Sequence, residues 1–287
     1  MRHPPPYNLL LVSPYGLAPA GALGGAAEMV HSGLARLGLP ARIVVNEYLR
    51  DATNIVFAVH NLDPSLVGAL PPGTIVYNTE MVVERSHFVD AMLPFVRAFE
   101  TWDYSAANVR GWNALGAGER VRLVRPAYLP EFTTVAPDAP RDVDVLFYGW
   151  PSPRRDRAIG ALREAGLDVR AMTAIFGEEL RSWIARSRIL LNVHHREGAV
   201  FEFARMSTAL ANRRCFVSES GGEEDVDPSL LPGFVRGTIE ELPALCRGLV
   251  DDGPRRESIA LAGFERYSAT DFSRELADAL GIEPPRR

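Results

Sequence analysis

The residues best suited to chemistry fall in one stretch of the second half, Ile189–Leu190–Leu191–Asn192–Val193–His194–His195–Arg196–Glu197–Gly198–Ala199–Val200–Phe201–Glu202–Phe203–Ala204–Arg205. An apolar strand ends in two histidines, turns through Gly198 and enters a helix expected from Val200 to Asn212. The first N–H groups of a helix lack intrahelical acceptors and carry the positive end of its dipole. The amides of Gly198, Ala199, Val200 and Phe201 would therefore suit a diphosphate without metal or lysine. Glu202, in the expected first turn, could accept two hydrogen bonds from a ribose diol, with Arg205 one turn deeper. The same pair, spaced i,i+3, could equally be a solvated helix pair contributing a few tenths of a kcal/mol. His194 and His195 fit ligand contacts as well as a turn in which one ring turns inward to a backbone carbonyl. Metal binding is the weakest reading, because adjacent histidines on a strand point apart and no other His or Cys lies at ligand spacing.

A second phosphate candidate is Tyr148–Gly149–Trp150–Pro151–Ser152–Pro153–Arg154–Arg155, where a glycine after a strand permits close approach. Arg154 and Arg155 enter the next helix at its N-terminus, against the dipole, so a compensating anion would rationalise them; the alternative is a solvated pair. The chain contains no lysine, so any cationic phosphate contact must come from Arg or His. In the first half, Gly21–Ala22–Leu23–Gly24–Gly25 matches neither the GxGxxG order nor a Walker loop. Gly24 and Gly25 could still present amides to an anion, or only allow a tight turn. Acid–base candidates there are Glu28, His31, His60, Glu80 and Asp103. His60 directly follows the β-rich run Ile55 to Val59, and Glu80 follows Thr74 to Tyr77. Both placements are strand carboxyl ends, where a general base could reach a substrate hydroxyl. His31 reads as a surface or packing residue, and Asp103 or Ser105 as a helix cap.

The elements that must position these groups alternate strand and helix twice. In the first half, Leu9 to Ser13, Ile43 to Val45, Ile55 to Val59, Thr74 to Tyr77, Ala98 to Glu100 and Val121 to Val124 read as strands. A glycine-rich turn from Pro14 to Gly25 precedes a helix ending at Gly38, and Ser105 to Leu115 is the other distinct helix. Pro137 and Pro140 mark a linker. The second half repeats the cycle with strands Val143 to Tyr148, Asp168 to Met172, Ile189 to Val193 and Cys215 to Ser218. Its helices are Arg154 to Ala165, Glu178 to Arg186, Val200 to Asn212, Ile239 to Val250, Arg255 to Tyr267 and Asp271 to Leu280. Continuous apolar strands between helices predict mostly parallel sheets with both faces covered: two Rossmann-like, doubly wound α/β domains facing a central cleft. The domains expected are 1–136 and 141–262, with 263–287 as a C-terminal helix crossing back to the first.

The 287 residues suit two domains, and 36 Asp plus Glu against 31 Arg give a formal net charge of -5, which argues against a nucleic-acid-coating protein. Two distant cysteines and the lack of a long apolar run point to a cytoplasmic protein without a membrane span.

On these residues the chain resembles small bacterial GT-B glycosyltransferases, family 1-like and similar to the CgeB-like spore-maturation group. The resemblance is carried by Asp144–Val145–Leu146–Phe147–Tyr148–Gly149 with Arg154 and Arg155, by Leu190 through His194, by Phe201–Glu202, Arg205–Met206–Ser207 and Ala211–Asn212, and by Val217–Ser218–Glu219. In the first half Tyr77–Asn78–Thr79–Glu80 and Trp102–Asp103–Tyr104–Ser105 with Asn108 are similar to that group's strand-end motifs. The resemblance implies a UDP-, GDP- or dTDP-sugar donor on the C-terminal domain, an unidentified small or medium-sized acceptor on the N-terminal one, and no bound metal or other cofactor. Glu202 would hold the ribose, Arg154 or Arg155 the phosphates and His194 the sugar or diphosphate; an inverting enzyme would add a base from the first domain, His60 or Glu80, which a retaining one would not require on the same face. The acidic pair seven residues apart found in many retaining members is absent, since His195 stands seven before Glu202. A non-catalytic two-domain binder of nucleotide sugars or small molecules is the alternative, and a homodimer is left open. A nicotinamide enzyme fares worse, for want of the ordered glycine turn and acidic ribose contact.

Overall fold

A computed structural model of the chain describes residues 3–14, 20–82, 86–136 and 138–283. Residues 15–19 of the expected glycine-rich turn and Pro137 of the expected linker lie outside the described residues. Two compact units emerge: one from the described residues of Met1–Arg125 and Asp271–Arg287, the other Pro126–Thr270.

The first unit holds a parallel six-stranded sheet, β1 (Tyr7–Leu11), β2 (Ala41–Val45), β3 (Thr53–Phe57), β4 (Ile75–Asn78), β5 (Glu100–Asp103) and β6 (Val121–Leu123), in the order β2-β1-β3-β4-β5-β6. Every residue of β1, β3 and β4 is buried. That is the physical reason these strands read as continuous apolar runs: helices cover both faces of the sheet. β2, at the edge, has no buried residue. The covering helices are α1 (Ala20–Arg36), α2 (His87–Ala98), α3 (Ala106–Ala114) and α9 (Phe272–Leu280). Gly33 of α1 has no room for a side chain against Phe272 and Leu276 of α9, so the last helix of the chain packs on the first. α2 has no counterpart in the sequence reading, and its interior Pro94 explains why the pattern is hard to see.

The second unit holds β7 (Val143–Tyr148), β8 (Val169–Met172), β9 (Ser187–Asn192), β10 (Cys215–Glu219) and the short β11 (Val235–Gly237), again all parallel, in the order β11-β10-β9-β7-β8. α4 (Pro153–Glu164), α5 (Gly177–Arg186), α6 (Phe203–Ala211), α7 (Leu242–Asp251) and α8 (Gly253–Ser268) complete it. Its core joins Val145, Phe147, Ile189, Leu191 and Val217 to Leu162, Leu242 and Leu249. Residues before Val143 already belong here: the Asn212 Oδ1 accepts the N–H groups of Thr134 (2.8 Å) and Val135 (3.0 Å).

Both strand orders place the first strand of a unit between its second and third, so the chain winds away from that strand in two directions. Ligands of open parallel sheets bind outside the strand carboxyl ends at such a reversal. The points are β1/β3 in the first unit and β7/β9 in the second.

Candidate functional site

The loops leaving β7 and β9 carry Gly149 through Arg155 and His194 through Glu202, so topology alone gathers the two phosphate candidates of the sequence. α4 starts cleanly because Ser152 accepts the Arg155 N–H (3.3 Å) and Pro153 occupies the first turn. Arg155 is 3% exposed, and each of its three side-chain nitrogens is hydrogen-bonded. Its Nε donates to the Val193 carbonyl (2.9 Å) and Nη1 to the Trp150 carbonyl (2.9 Å), while Nη2 pairs with Glu202. Arg205 donates from Nε to the Tyr148 carbonyl (2.7 Å) and from Nη1 to Asn192 Oδ1 (2.8 Å), and pairs with Glu202 as well. Both guanidinium groups lie over the Phe147 ring, at 5.2 and 5.1 Å from its centroid. Arg154 pairs with Glu219 at the end of β10, and this bond raises its pKa. The second Glu219 oxygen accepts the His194 N–H (2.9 Å).

These contacts correct several expectations. α6 begins at Phe203, so Gly198, Ala199, Val200 and Phe201 precede the helix and do not open it. The cause is Phe201, which is wholly buried against Phe203, Phe216 and Phe234 and so fixes the chain before helical geometry starts. Glu202 consequently stands at the N-cap position and not in the first turn, and Arg205 joins the buried side of α6. The solvated-pair alternative does not hold, because Glu202 bridges two buried arginines. Arg154 and Arg155 are not a solvated pair: each meets a carboxylate of the protein, Glu219 and Glu202 respectively. Gly24 and Gly25 lie inside α1, where amides serve the helical ladder, so they form no anion-binding turn.

His194 is 3% exposed, and neither ring nitrogen has a hydrogen-bond partner; the inward contact to a backbone carbonyl is not made. His195 is exposed, with Nδ1 3.4 Å from Arg155 Nη1. Gly149 adopts φ +150°, and any side chain there would strike the Arg205 guanidinium. Gly149→Ala should therefore lower stability by about 1–3 kcal/mol through backbone strain and displacement of Arg205, read as a shift of the urea midpoint.

In the first unit, His60 follows β3 at the reversal point. Ala58, buried at φ 56°, turns the chain out of the strand in a left-handed conformation that costs a non-glycine residue energy. This delivers the His60 ring to Glu80, with Nδ1 to Oε1 at 4.0 Å, beside the Phe88 ring (5.0 Å). His60 Nδ1 is buried without a hydrogen-bond partner. Burial, and secondarily the His87 charge, holds His60 below its ordinary pKa, while burial raises that of Glu80. His31 bonds the Ala41 carbonyl (3.2 Å), a packing role. Ser105 caps α3 through the Asn108 N–H (3.1 Å). Asp103 is wholly buried, and desolvation pushes its pKa up to about 6 against the pull of four N–H donors.

Sequence reasoning did not select Glu219 or Asn192 as site residues, although each is the last residue of its strand. Their signal was the one that exposed His60 and Glu80: a polar residue at a strand carboxyl end. No group of three or more His, Cys, Asp or Glu able to hold a metal ion occurs among the described residues. None of their helices is long and apolar enough to cross a membrane.

No family model matches the sequence, and no curated protein matches it. Solved structures do. The Anabaena protein HepE, solved in complex with UDP and glucose, matches with a TM-score of 0.68 at 12% identity, over 96% of this chain and 99% of that one. Sucrose-phosphate synthase from Thermosynechococcus elongatus matches with a TM-score of 0.64 at 10% identity, over 96% and 98%. AviGT4, a glycosyltransferase involved in avilamycin A biosynthesis, matches with 0.57 at 16%, over 95% and 99%. The chain thus has two Rossmann-like parallel α/β units of the kind found in GT-B glycosyltransferase structures.

Proposed function

We propose that this chain is a glycosyltransferase that moves a sugar from a nucleoside diphosphate of the UDP type to the hydroxyl of a small or medium-sized acceptor, with motifs that resemble the family 1-like and CgeB-like groups. One observation carries the reading: at the β7/β9 reversal, three arginines, two glutamates and a buried histidine with both ring nitrogens unpaired converge. A buried polar group without a partner costs about 1–3 kcal/mol, which a ligand oxygen on His194 would recover. The fold shared with HepE, itself solved with UDP-glucose, supports the donor class.

In this reading Arg154 and Arg155 face the diphosphate and His194 a sugar hydroxyl or phosphate oxygen. Glu202 uses two of its roughly four lone-pair sites on arginines and keeps the rest for a ribose diol. Charge grows on the diphosphate as the glycosidic bond breaks, and guanidinium groups rather than a metal neutralise it. The base is Glu80. At 4.0 Å, His60 Nδ1 and Glu80 Oε1 are too far apart to bond each other. One oxygen at about 2.8 Å from each fits between them. The acceptor hydroxyl accepts from the His60 N–H and gives its proton to Glu80 as its oxygen bonds to the anomeric carbon; the electron pair of the broken bond leaves with the diphosphate.

Calorimetric titration with uridine and UDP tests the donor half. Arg154→Ala should weaken UDP about 10- to 100-fold and leave uridine unchanged, whereas Glu202→Ala should weaken both. A wild-type chain that binds no UDP sinks the reading; one that binds UDP-glucose yet consumes none across an acceptor panel is a binding protein.

A further inference from the structure

Three buried polar side chains of the first unit remain without a task in the scheme above. Asn78 (1% exposed), Asp103 (0%) and Asn108 (0%) stand behind the loop that carries Glu80. Asn78 Oδ1 accepts the Glu80 N–H at 2.9 Å, and Asn78 Nδ2 donates back to the Glu80 carbonyl at 2.9 Å. Asn108 Nδ2 donates to that same carbonyl at 2.9 Å, while its Oδ1 accepts the Val82 N–H at 2.8 Å. The remaining N–H of each amide ends on Asp103, at 2.7 Å from Asn78 and 3.0 Å from Asn108. Asp103 is held in turn by the Ser105 N–H and the Trp112 indole, both at 3.0 Å.

Each amide therefore donates one N–H to the Glu80 carbonyl and the other to Asp103, while its oxygen accepts a backbone N–H from the stretch Glu80 to Val82. A loop that needed only to join β4 to α2 could do so with apolar side chains and a cap. Burying a carboxylate and two amides is costly unless every bond is made, and a satisfied network of this kind rigidifies what it holds. What it holds is the backbone of Glu80, on both its N–H and its C=O, together with the N–H of Val82. Among the described residues no hydrogen bond to the Glu80 carboxylate is made, and it faces the His60 ring.

We propose that Asn78, Asp103 and Asn108 are positioning residues that fix the Glu80 backbone so that its carboxylate stands opposite His60 Nδ1. The geometric claim is independent of any reaction; its bearing on catalysis rests on the function proposed above. Among the described residues the charged or titratable groups facing His60 are Glu80, from the loop after β4, and His87, from the start of α2.

The test follows the His60 Cε1 proton by NMR through a pH titration. An anion about 4 Å away favours the imidazolium, so Glu80→Gln should lower the His60 midpoint by about one pH unit. Asn78→Ala should reproduce at least half of that fall with Glu80 still present, and should add nothing in the Glu80→Gln background. An unchanged His60 midpoint in Asn78→Ala overturns the proposal. So does an equal fall in both backgrounds, which would mean general loosening. Asn108→Ala, which leaves both Asn78 bonds to Glu80 in place, carries the same comparison with a smaller fall should Asn78→Ala not fold. In turnover of UDP-glucose, Asn78→Ala should reduce kcat at least tenfold with UDP affinity unchanged. A wild-type chain without turnover defeats the functional reading alone, since the titration still decides the frame.

Discussion

Arg155→Ala is expected to destabilise the protein by about 3 kcal/mol and to weaken UDP by a further 10- to 100-fold beyond what unfolding accounts for. The guanidinium satisfies two carbonyls, of Val193 and Trp150, where the loops leave β9 and β7, and it neutralises Glu202. Alanine leaves those acceptors open and a carboxylate short of one partner. Glu202 retains Arg205 and is 28% exposed, which keeps the loss at the lower end for a broken buried pair. Lysine is no remedy, since one ammonium cannot span three acceptors in the plane of a guanidinium fork. Urea unfolding gives the first quantity, and calorimetry below the transition the second. A variant with wild-type stability would show that Arg155 is dispensable to the loop ends.

Glu80→Gln should lower kcat about 10²- to 10⁴-fold, the range for a positioned general base, with UDP affinity unaltered. The pH profile gives a second readout. A base works only when ionised, and burial holds Glu80 above the ordinary glutamate range. Activity should thus fall as pH drops through a midpoint higher than about 4.3, and this acidic limb should vanish from the residual rate of Glu80→Gln. Persistence of the limb in that variant would assign it to another group, His60 foremost.

The sequence carried the architecture because burial on both faces writes itself as short apolar runs such as Val145 to Phe147 and Ile189 to Leu191, set between helical patterns. It also carried the locations of His60, Glu80, Arg154 and His194, since polar residues after apolar strands mark sheet edges. It did not carry pairing. That Glu219 would meet Arg154 depends on β10 lying beside β9, and that Glu202 would bridge Arg155 and Arg205 depends on α6 starting late. The delay comes from Phe201, whose partners Phe216 and Phe234 lie 15 and 33 positions on, beyond the reach of local periodicity. Gly24 and Gly25 misled for the opposite reason: glycine is a poor helix former, but the packing of α1 on the sheet and on α9 overrides that preference.

The pairing of α9 with α1 sets an order of events during synthesis. Leu276 and Phe272 reach Gly33 only after the ribosome has translated the whole of Pro126–Thr270. The inserted unit can then complete its own sheet while the nascent first unit still lacks one covering helix and keeps part of α1 open to chaperones. A stalled or prematurely terminated message would release a chain whose later half is finished and whose earlier half is not.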